Sequence, residues 1–188
     1  DQRAYKDLLK PVAGDCLEES VTRAVQLRQL AQLRRQAMEV MREQAADDEL
    51  GRAFTHATAG LWMAFQPIVD RRGALVGHEA LLRTKSDVLR RPPQLLDAAE
   101  RLGRVQTLGR QLRAAAAEPL RDRGAAGCLF VNLHPLELVD DELVAVDSPL
   151  ATLAERVVVE LTERARVDSL HDLRERIAGL RERGFRIA

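Results

Sequence analysis

Glu79 and Arg83 stand four residues apart in GHEALLRT (77–84), directly after the apolar GALV. On a strand, alternate residues share a face, so Glu79, Leu81 and Arg83 point one way and His78, Ala80 and Leu82 the other. An unpaired buried carboxylate is costly, and Glu79 therefore implies a cationic partner. CLFVNLHP (128–135) reads as a second strand, with Cys128, Phe130, Asn132 and His134 on one face and Asn132 near its carboxyl end, just ahead of the turn at Pro135. RVVVELTE (156–163) reads as a third, with Val158, Glu160 and Thr162 on one face and Glu163 just beyond. Three strands thus each end in an oxygen donor: Glu79, Asn132 and Glu160. Two carboxylates and an amide suit a hard divalent cation, Mg²⁺ or Mn²⁺, better than zinc. An ion so held could polarise a phosphoryl group and activate water. On these residues alone other readings stay open. Glu79 could pair with an arginine, Asn132 could serve the turn, and Glu163 fits an acid at a helix N-terminus.

Strands that carry such groups need a scaffold, and the rest of the chain supplies one. LWMAFQPIVD, the turn RRG, and ALVGHEALLR form a strand pair. The spacing predicts helices over PPQLLDAAERLG and VQTLGRQLRAAAAEPLRDRG, the first with proline in its opening turn and glycine past its end. LELVDDELVAVDSPLATLAE reads as mostly helical. VDSLHDLRERIAGLRERG reads as an amphipathic helix with Val167, Leu170, Leu173, Ile177 and Leu180 on one side. FRIA opens another strand. Strands alternating with helices mean parallel βαβ units, in which active sites collect at the carboxyl ends of the strands. Residues 17–50 form one long helical stretch without glycine or proline. Its apolar seam (Leu17, Val21, Val25, Leu30, Leu33, Ala37, Met41) fits either a connecting helix packed on its neighbours or a coiled-coil dimer.

Composition narrows the class. The 188 residues are 46% hydrophobic and 31% charged, a globular balance. Basic and acidic residues are equal at 29 each, which gives no general electrostatic reason to bind DNA or an anionic membrane. Lys6, Lys10 and Lys85 are the only lysines, so nearly all the positive charge is guanidinium, suited to local phosphate recognition. Cys16 and Cys128 stand far apart, without metal-ligand spacing, and suggest a reducing, cytoplasmic setting. No apolar run reaches the roughly 20 residues of a membrane span. DQRAYKDLLKP and GFRIA both lie inside strand-like patterns, so the chain reads as a piece cut at both ends.

FQPIVDRRGALVGHEALLRT, FVNLHP and VVVELTERARV, with AERLGRV between them, resemble the ordered signatures of EAL domains, bacterial phosphodiesterases that hydrolyse cyclic di-GMP. The resemblance covers about residues 60–188, roughly the first half of such a domain. It implies an α/β fold, an incomplete (β/α)8 TIM-like barrel whose first strand is antiparallel to the rest. It further implies Glu79, Asn132 and Glu160 as ligands of Mg²⁺ or Mn²⁺, with Glu79 and Glu163 catalytic. Arg83 would contact a substrate phosphate, and Gln66 and Leu81 would line the nucleotide site. Glu163 would hold an active-site loop and a coupled homodimer contact. His134 occupies a position often taken by serine and reads as a rim residue, and His78 as packing. The family continues FRIALDDFG or similar, so its aspartate pair, its lysine and a later glutamate ligand belong past Ala188.

YKDLLKPVAGDCLEESVTRAVQLRQL resembles the last strand and helix of a response-regulator receiver domain, in which a lysine followed by a cis-proline, here Lys10-Pro11, reaches a phosphorylated aspartate. The expected organisation is a receiver remnant at 1–16, a long receiver-terminal or linker helix at 17–50, and the N-terminal half of an EAL domain at 51–188. The expected function is that of a receiver-linked phosphodiesterase giving linear pGpG, with cyclic di-GMP as ligand, a cognate histidine kinase as partner, and neither DNA nor membrane involved. The alternative is a catalytically inactive EAL domain acting as a cyclic di-GMP sensor or protein-interaction module. A purely structural dimerisation segment accounts for the long helix but not for the strand ends.

Overall fold

The structure, a computed structural model, describes residues 14–122, 126–162 and 172–188. Two compact units divide between Glu49 and Leu50. Helix α1 runs Gly14–Ala59. Its residues up to Glu49 belong to the first unit, where the seam stays uncovered: Leu30, Leu33 and Met41 are 64, 63 and 71% exposed.

The helix continues nine residues past the Leu50 expected from the sequence, straight through Gly51. A helical glycine costs about 1 kcal/mol against alanine. Burial of Phe54 and Ala57, three residues apart on one face, offsets it. They form a small core with Leu95, Ala98 and Ala99 of helix α2 (Pro92–Arg101) and Val105 and Leu108 of helix α3 (Val105–Asp122).

The second unit is built on a five-stranded sheet in the order β1 (Leu61–Val69), β2 (Leu75–Thr84), β3 (Cys128–Leu133), β4 (Val157–Leu161) and β5 (Arg186–Ile187). β1 is antiparallel to β2, and β2 through β5 are mutually parallel. The antiparallel step follows from the turn. Asp70 Oδ1 accepts from the backbone N–H groups of Arg72 and Ala74 at 2.8 and 2.9 Å, and Gly73 takes the left-handed conformation at φ 80°.

One sheet face is aliphatic. Ala80, Leu129, Val131, Leu133, Val157 and Val159 pack with Ala116, Ala117 and Leu120 of α3, and with Leu180 of helix α4 (Leu173–Glu182) and Phe185 beyond it. The opposite face carries Glu79, Asn132 and Glu160. Proline at the first two positions of α2, with Gln94 accepting from the Arg91 N–H at 3.1 Å, starts that helix as the sequence predicts.

The stretch 136–155 departs from the helical expectation. It forms three short 3-10 turns, Pro135–Val139, Asp141–Leu143 and Ala151–Arg156. Asp140 accepts from the Glu142 N–H, and Ser148 and Pro149 break the next segment; such side chains compete with helix hydrogen bonding. Of the amphipathic helix expected over 167–184, Leu173–Glu182 is seen as α4, while Val167 and Leu170 lie outside the described residues.

Gly77 lets β2 approach β3. A Cβ there would fall 2.1 Å from the Cys128 carbonyl oxygen. Gly77→Ala is therefore expected to destabilise the protein by roughly 1–3 kcal/mol. Gly51→Ala, whose Cβ meets nothing within 4 Å, should stabilise it by about 0.5–1 kcal/mol. Urea melts of the two variants check this, and shifts of the same sign would contradict the close approach.

Candidate functional site

Strand register brings the oxygen donors together. In β1–β2, Gln66 lies directly opposite Glu79. In β2–β3, Glu79 lies opposite Phe130, and in β3–β4, Asn132 lies opposite Glu160. Paired residues share a face, so Gln66, Glu79, Asn132 and Glu160 all point to the same side of the sheet. Asn132 Nδ2 donates to Glu79 Oε1 at 3.0 Å, a bond that reaches two positions along the neighbouring strand.

Glu79 is not at the end of its strand, as the sequence suggests, but five residues before it. β2 is prolonged by its antiparallel partner, which pairs as far as Leu61 with Thr84. Its parallel ladder with β3 stops at Ala80 and Val131. Counted along the parallel sheet, Glu79 does stand at the carboxyl end.

Charge at this face is unbalanced. Glu79 is half-buried, as is Glu160, and among the described residues no arginine, lysine or histidine pairs with either. The arginine partner that the sequence left open for Glu79 is thus not found there. With its Nδ2 given to Glu79, Asn132 keeps its Oδ1 as a free acceptor beside Glu160. Two carboxylates and an amide oxygen without a protein cation fit a hard divalent ion. No three His, Cys, Asp or Glu side chains gather as a metal cluster among the described residues, so this chain's donors here are two acids and one amide.

Arg83 lies on the same face of β2, half-buried, and its Nη1 donates to the Leu82 carbonyl at 2.8 Å. No carboxylate among the described residues neutralises it. A cavity of about 240 Å³ opens here, lined among others by Leu81, Arg83, Pro93, Leu96, Asn132 and Thr162. The Thr162 hydroxyl oxygen is buried and has no partner. It is a mostly apolar wall with a few polar groups, the form of a small-ligand site. A larger cavity of about 500 Å³, between β1 and α3, includes Trp62, Phe65, His78 and Pro119 but none of the oxygen donors. Lys10 and Glu163 lie outside the described residues.

His134 is not a rim residue but 4% exposed. Its Nδ1 accepts from the Leu136 N–H at 3.1 Å and its Nε2 lies 3.1 Å from Glu100 Oε1. Behind it is a buried ionic cluster that the sequence reading missed. Glu137 Oε1 accepts from the His134 N–H at 3.0 Å, and Glu137 Oε2 from Arg113 Nη1. Arg113 Nη2 donates to Asp140 Oδ2 at 2.7 Å, and Arg110 Nη2 to Asp140 Oδ1 at 2.8 Å. Burial pushes the Glu137 carboxyl up to about 7, against the pull of Arg113 and the His134 N–H. Burial also pushes Asp140 up, but hydrogen bonds from Arg110 and Arg113 outweigh it and hold that carboxyl below its ordinary value. A signal existed in Gly109, a glycine inside an otherwise strong helix former's pattern. A Cβ there would fall 1.8 Å from Glu137 Oε2.

The family model described as EAL domain matches residues 47–188. The chain belongs to the EAL domain family. Comparison with curated proteins gives no match. Among solved structures it is similar to the Xanthomonas citri FimX EAL domain in complex with cyclic di-GMP, at 19% identity and a TM-score of 0.62, over 78% of this chain and 62% of that one. It is similar to the PaMucR phosphodiesterase in its cyclic di-GMP complex, at 25% identity and a TM-score of 0.62, over 74% of this chain and 62% of that one. It is also similar to Klebsiella pneumoniae BlrP1 in a manganese and cyclic di-GMP complex, at 27% identity and a TM-score of 0.53, over 68% of this chain and 34% of that one. The chain spans 62% of the length of the first two.

The ionic cluster predicts a pH dependence. Folded Glu137 holds its proton up to about 7, whereas its ordinary value is 4.5. The folded state therefore binds more protons than the unfolded state between these values, and this group makes stability fall as pH rises from 4.5 to 7. Asp140 acts in a different window: its contribution is lost only as pH falls below 3.8. Denaturant melts from pH 4.5 to 8 should show a decline, of order 3 kcal/mol at most from this group, that Glu137→Gln removes. An unchanged decline in the variant would assign it to other groups.

Proposed function

We propose that this chain is part of a metal-dependent phosphodiesterase that opens cyclic di-GMP to linear pGpG. The observation that carries the reading is the pair of carboxylates, Glu79 and Glu160, without a cation partner among the described residues and flanking the Asn132 amide on one sheet face. EAL family membership and the cyclic di-GMP complexes of its structural relatives support the same ligand. The manganese-containing relative supports a divalent ion.

Glu79, Asn132 and Glu160 would hold Mg²⁺ or Mn²⁺, which supplies Lewis acidity and water of lowered pKa when bound. Arg83 offers a planar fork, free of any carboxylate among the described residues, to the non-bridging phosphoryl oxygens and offsets charge developing there. Gln66 and Leu81 flank the same face and would line the nucleotide site. Water adds at phosphorus, the bond to the 3′ oxygen breaks, and that oxygen leaves with a proton, giving a linear dinucleotide with a 5′ phosphate. Glu163, just past β4, is assigned to an active-site loop and its coupled homodimer contact.

The wider architecture follows the same reading. Parallel sheets occur almost only with both faces covered, and here the Glu79 face is left partly exposed, with single-neighbour strands β1 and β5 at its margins. Completion of a TIM-like barrel would cover both. Residues 1–16, with Lys10, and residues 17–50 within α1 are read as the end of a receiver domain and its output helix. A cognate histidine kinase would act upstream, in the cytoplasm, with no part for DNA or membrane. No described helix is long and apolar enough to cross a membrane.

Turnover of cyclic di-GMP by the full-length protein with Mg²⁺ or Mn²⁺ tests the reading. Glu79→Ala should reduce turnover to background while leaving the circular dichroism spectrum unchanged. Arg83→Lys keeps the charge but loses the fork, and should cost on the order of tenfold in kcat/KM, about 1.4 kcal/mol. Binding of cyclic di-GMP without turnover under either metal would replace the enzyme with the sensor, and absence of binding would end both.

A further inference from the structure

We propose that Glu137, clamped by Arg113, is a positioning residue for Asn132. This rests on the assignment of Asn132 as a metal ligand made above. Asn132 is the next-to-last residue of β3, and its exposed side chain can be no better placed than the backbone that follows it. That backbone is tied on three sides. The Leu133 carbonyl accepts from the Thr162 N–H at 3.2 Å. The His134 N–H donates to Glu137 Oε1 at 3.0 Å. The His134 ring accepts from the Leu136 N–H and meets Glu100. Two of these ties reach a separate helix: the His134 ring meets Glu100 of α2, and Glu137, which alone of the side chains named here holds the His134 N–H, is anchored through Arg113 of α3.

The helix is shaped to receive it. Gly109 leaves a notch that Glu137 Oε2 fills, since a Cβ there would overlap the oxygen. Alanine at that position would be the better helix former, so the sequence forgoes local stability to seat a carboxylate. The cluster is also a poor source of stability by itself. Arg113, Glu137 and Asp140 are all at most 4% exposed, and buried ion pairs are often replaced by apolar groups at no cost. What an apolar side chain cannot do is accept the His134 N–H. Outer hydrogen bonds of this kind orient the groups that hold a metal, and their loss typically weakens metal affinity about 10–100-fold. Here the orientation acts through the turn that ends β3.

Mn²⁺ binding by the full-length protein, followed by calorimetry alongside hydrogen exchange of the peptide covering 130–137, separates this role from plain stability. Glu137→Leu removes the acceptor and should weaken Mn²⁺ at least about tenfold while raising exchange at 132–136 with or without metal. Glu137→Gln keeps an acceptor and should stay within about threefold of wild type, because the His134 bond survives. Should Glu137→Leu fail to fold, Gly109→Ala displaces the carboxylate while favouring the helix, and the same two changes are expected. A folded Glu137→Leu or Gly109→Ala variant with wild-type Mn²⁺ affinity and wild-type exchange overturns the proposal, as does a Gln variant as impaired as Leu. Wild-type protein that binds no Mn²⁺ overturns the metal assignment instead, and exchange at 132–136 then decides the positioning role alone.

Discussion

Two carboxylates share one face of a parallel sheet with an amide between them and, among the described residues, no protein cation on either. With strands about 4.8 Å apart and two positions of stagger, Glu79 and Glu160 have backbones roughly 11 Å apart. Like charges at that distance repel by about 1–2 kcal/mol at an effective dielectric of 20. An ordinary fold relieves such a pair by moving an arginine in, and this chain is rich in arginine. It places those arginines elsewhere: Arg110 and Arg113 on Asp140 and Glu137, Arg90 on Asp87. Among the described residues, the side chain of Glu79 receives the Asn132 amide and no cation. The face is held in a state that an added cation would relax.

Register is what makes this arrangement possible. Glu79 sits mid-strand by its own length, yet the parallel ladder beside it ends one residue later. Each successive strand starts at a different height, so Asn132 and Glu160 come to one level and Glu79 lies two positions behind them, within reach of the Asn132 amide. Gly77 fixes the height of β2 against β3 by permitting a backbone approach that any side chain would block. Local chemistry at residue 77 therefore sets the geometry at residue 79. On the reverse side, Val131 and Val159 bury the same strands against α3 and α4. A one-residue slip would send those valines to solvent and the acids into the core, so hydrophobic packing guards the placement of the polar groups.

What the sequence made legible follows period and punctuation. Alternation in GHEALLRT, CLFVNL and VVVEL put Glu79, Asn132 and Glu160 on one face, as the strand register shows, because a strand's side-chain period is fixed by its backbone. Asp70 and Gly73 marked the hairpin, and Pro92 with Gly103 bracketed α2. Three things were not legible. Helix α1 overran Gly51 because Phe54 and Ala57 find a core that only tertiary structure supplies. The segment 136–155 had helical composition but lost the helix to Asp140, whose carboxylate is held by two arginines from α3 that lie 27 and 30 residues earlier. Glu137 carries no signal of its own in the sequence, since nothing near it in the chain announces that it will be buried against Arg113.

That last case shows where stability and geometry part. A helix-breaking glycine at 109, a carboxylate pushed up by burial at 137, and a turn in place of a helix over 135–139 are each unfavourable taken singly. They coincide at one point, directly behind the residue that ends β3. Random imperfection would scatter such costs over the molecule. Gathered where the polypeptide leaves the sheet, they describe a rigid turn: the Glu137 carboxylate fixes His134, the Leu133 carbonyl is fixed by the strand beyond, and Asn132 between sheet and turn has little freedom of backbone. Preorganisation of a ligand is worth most where the ligand is a neutral amide, because an amide oxygen attracts a cation far less strongly than a carboxylate and has less interaction energy with which to pull itself into place. As metal ligands, Glu79 and Glu160 would tolerate some slack. Asn132 would not, and the buried ions stand behind Asn132.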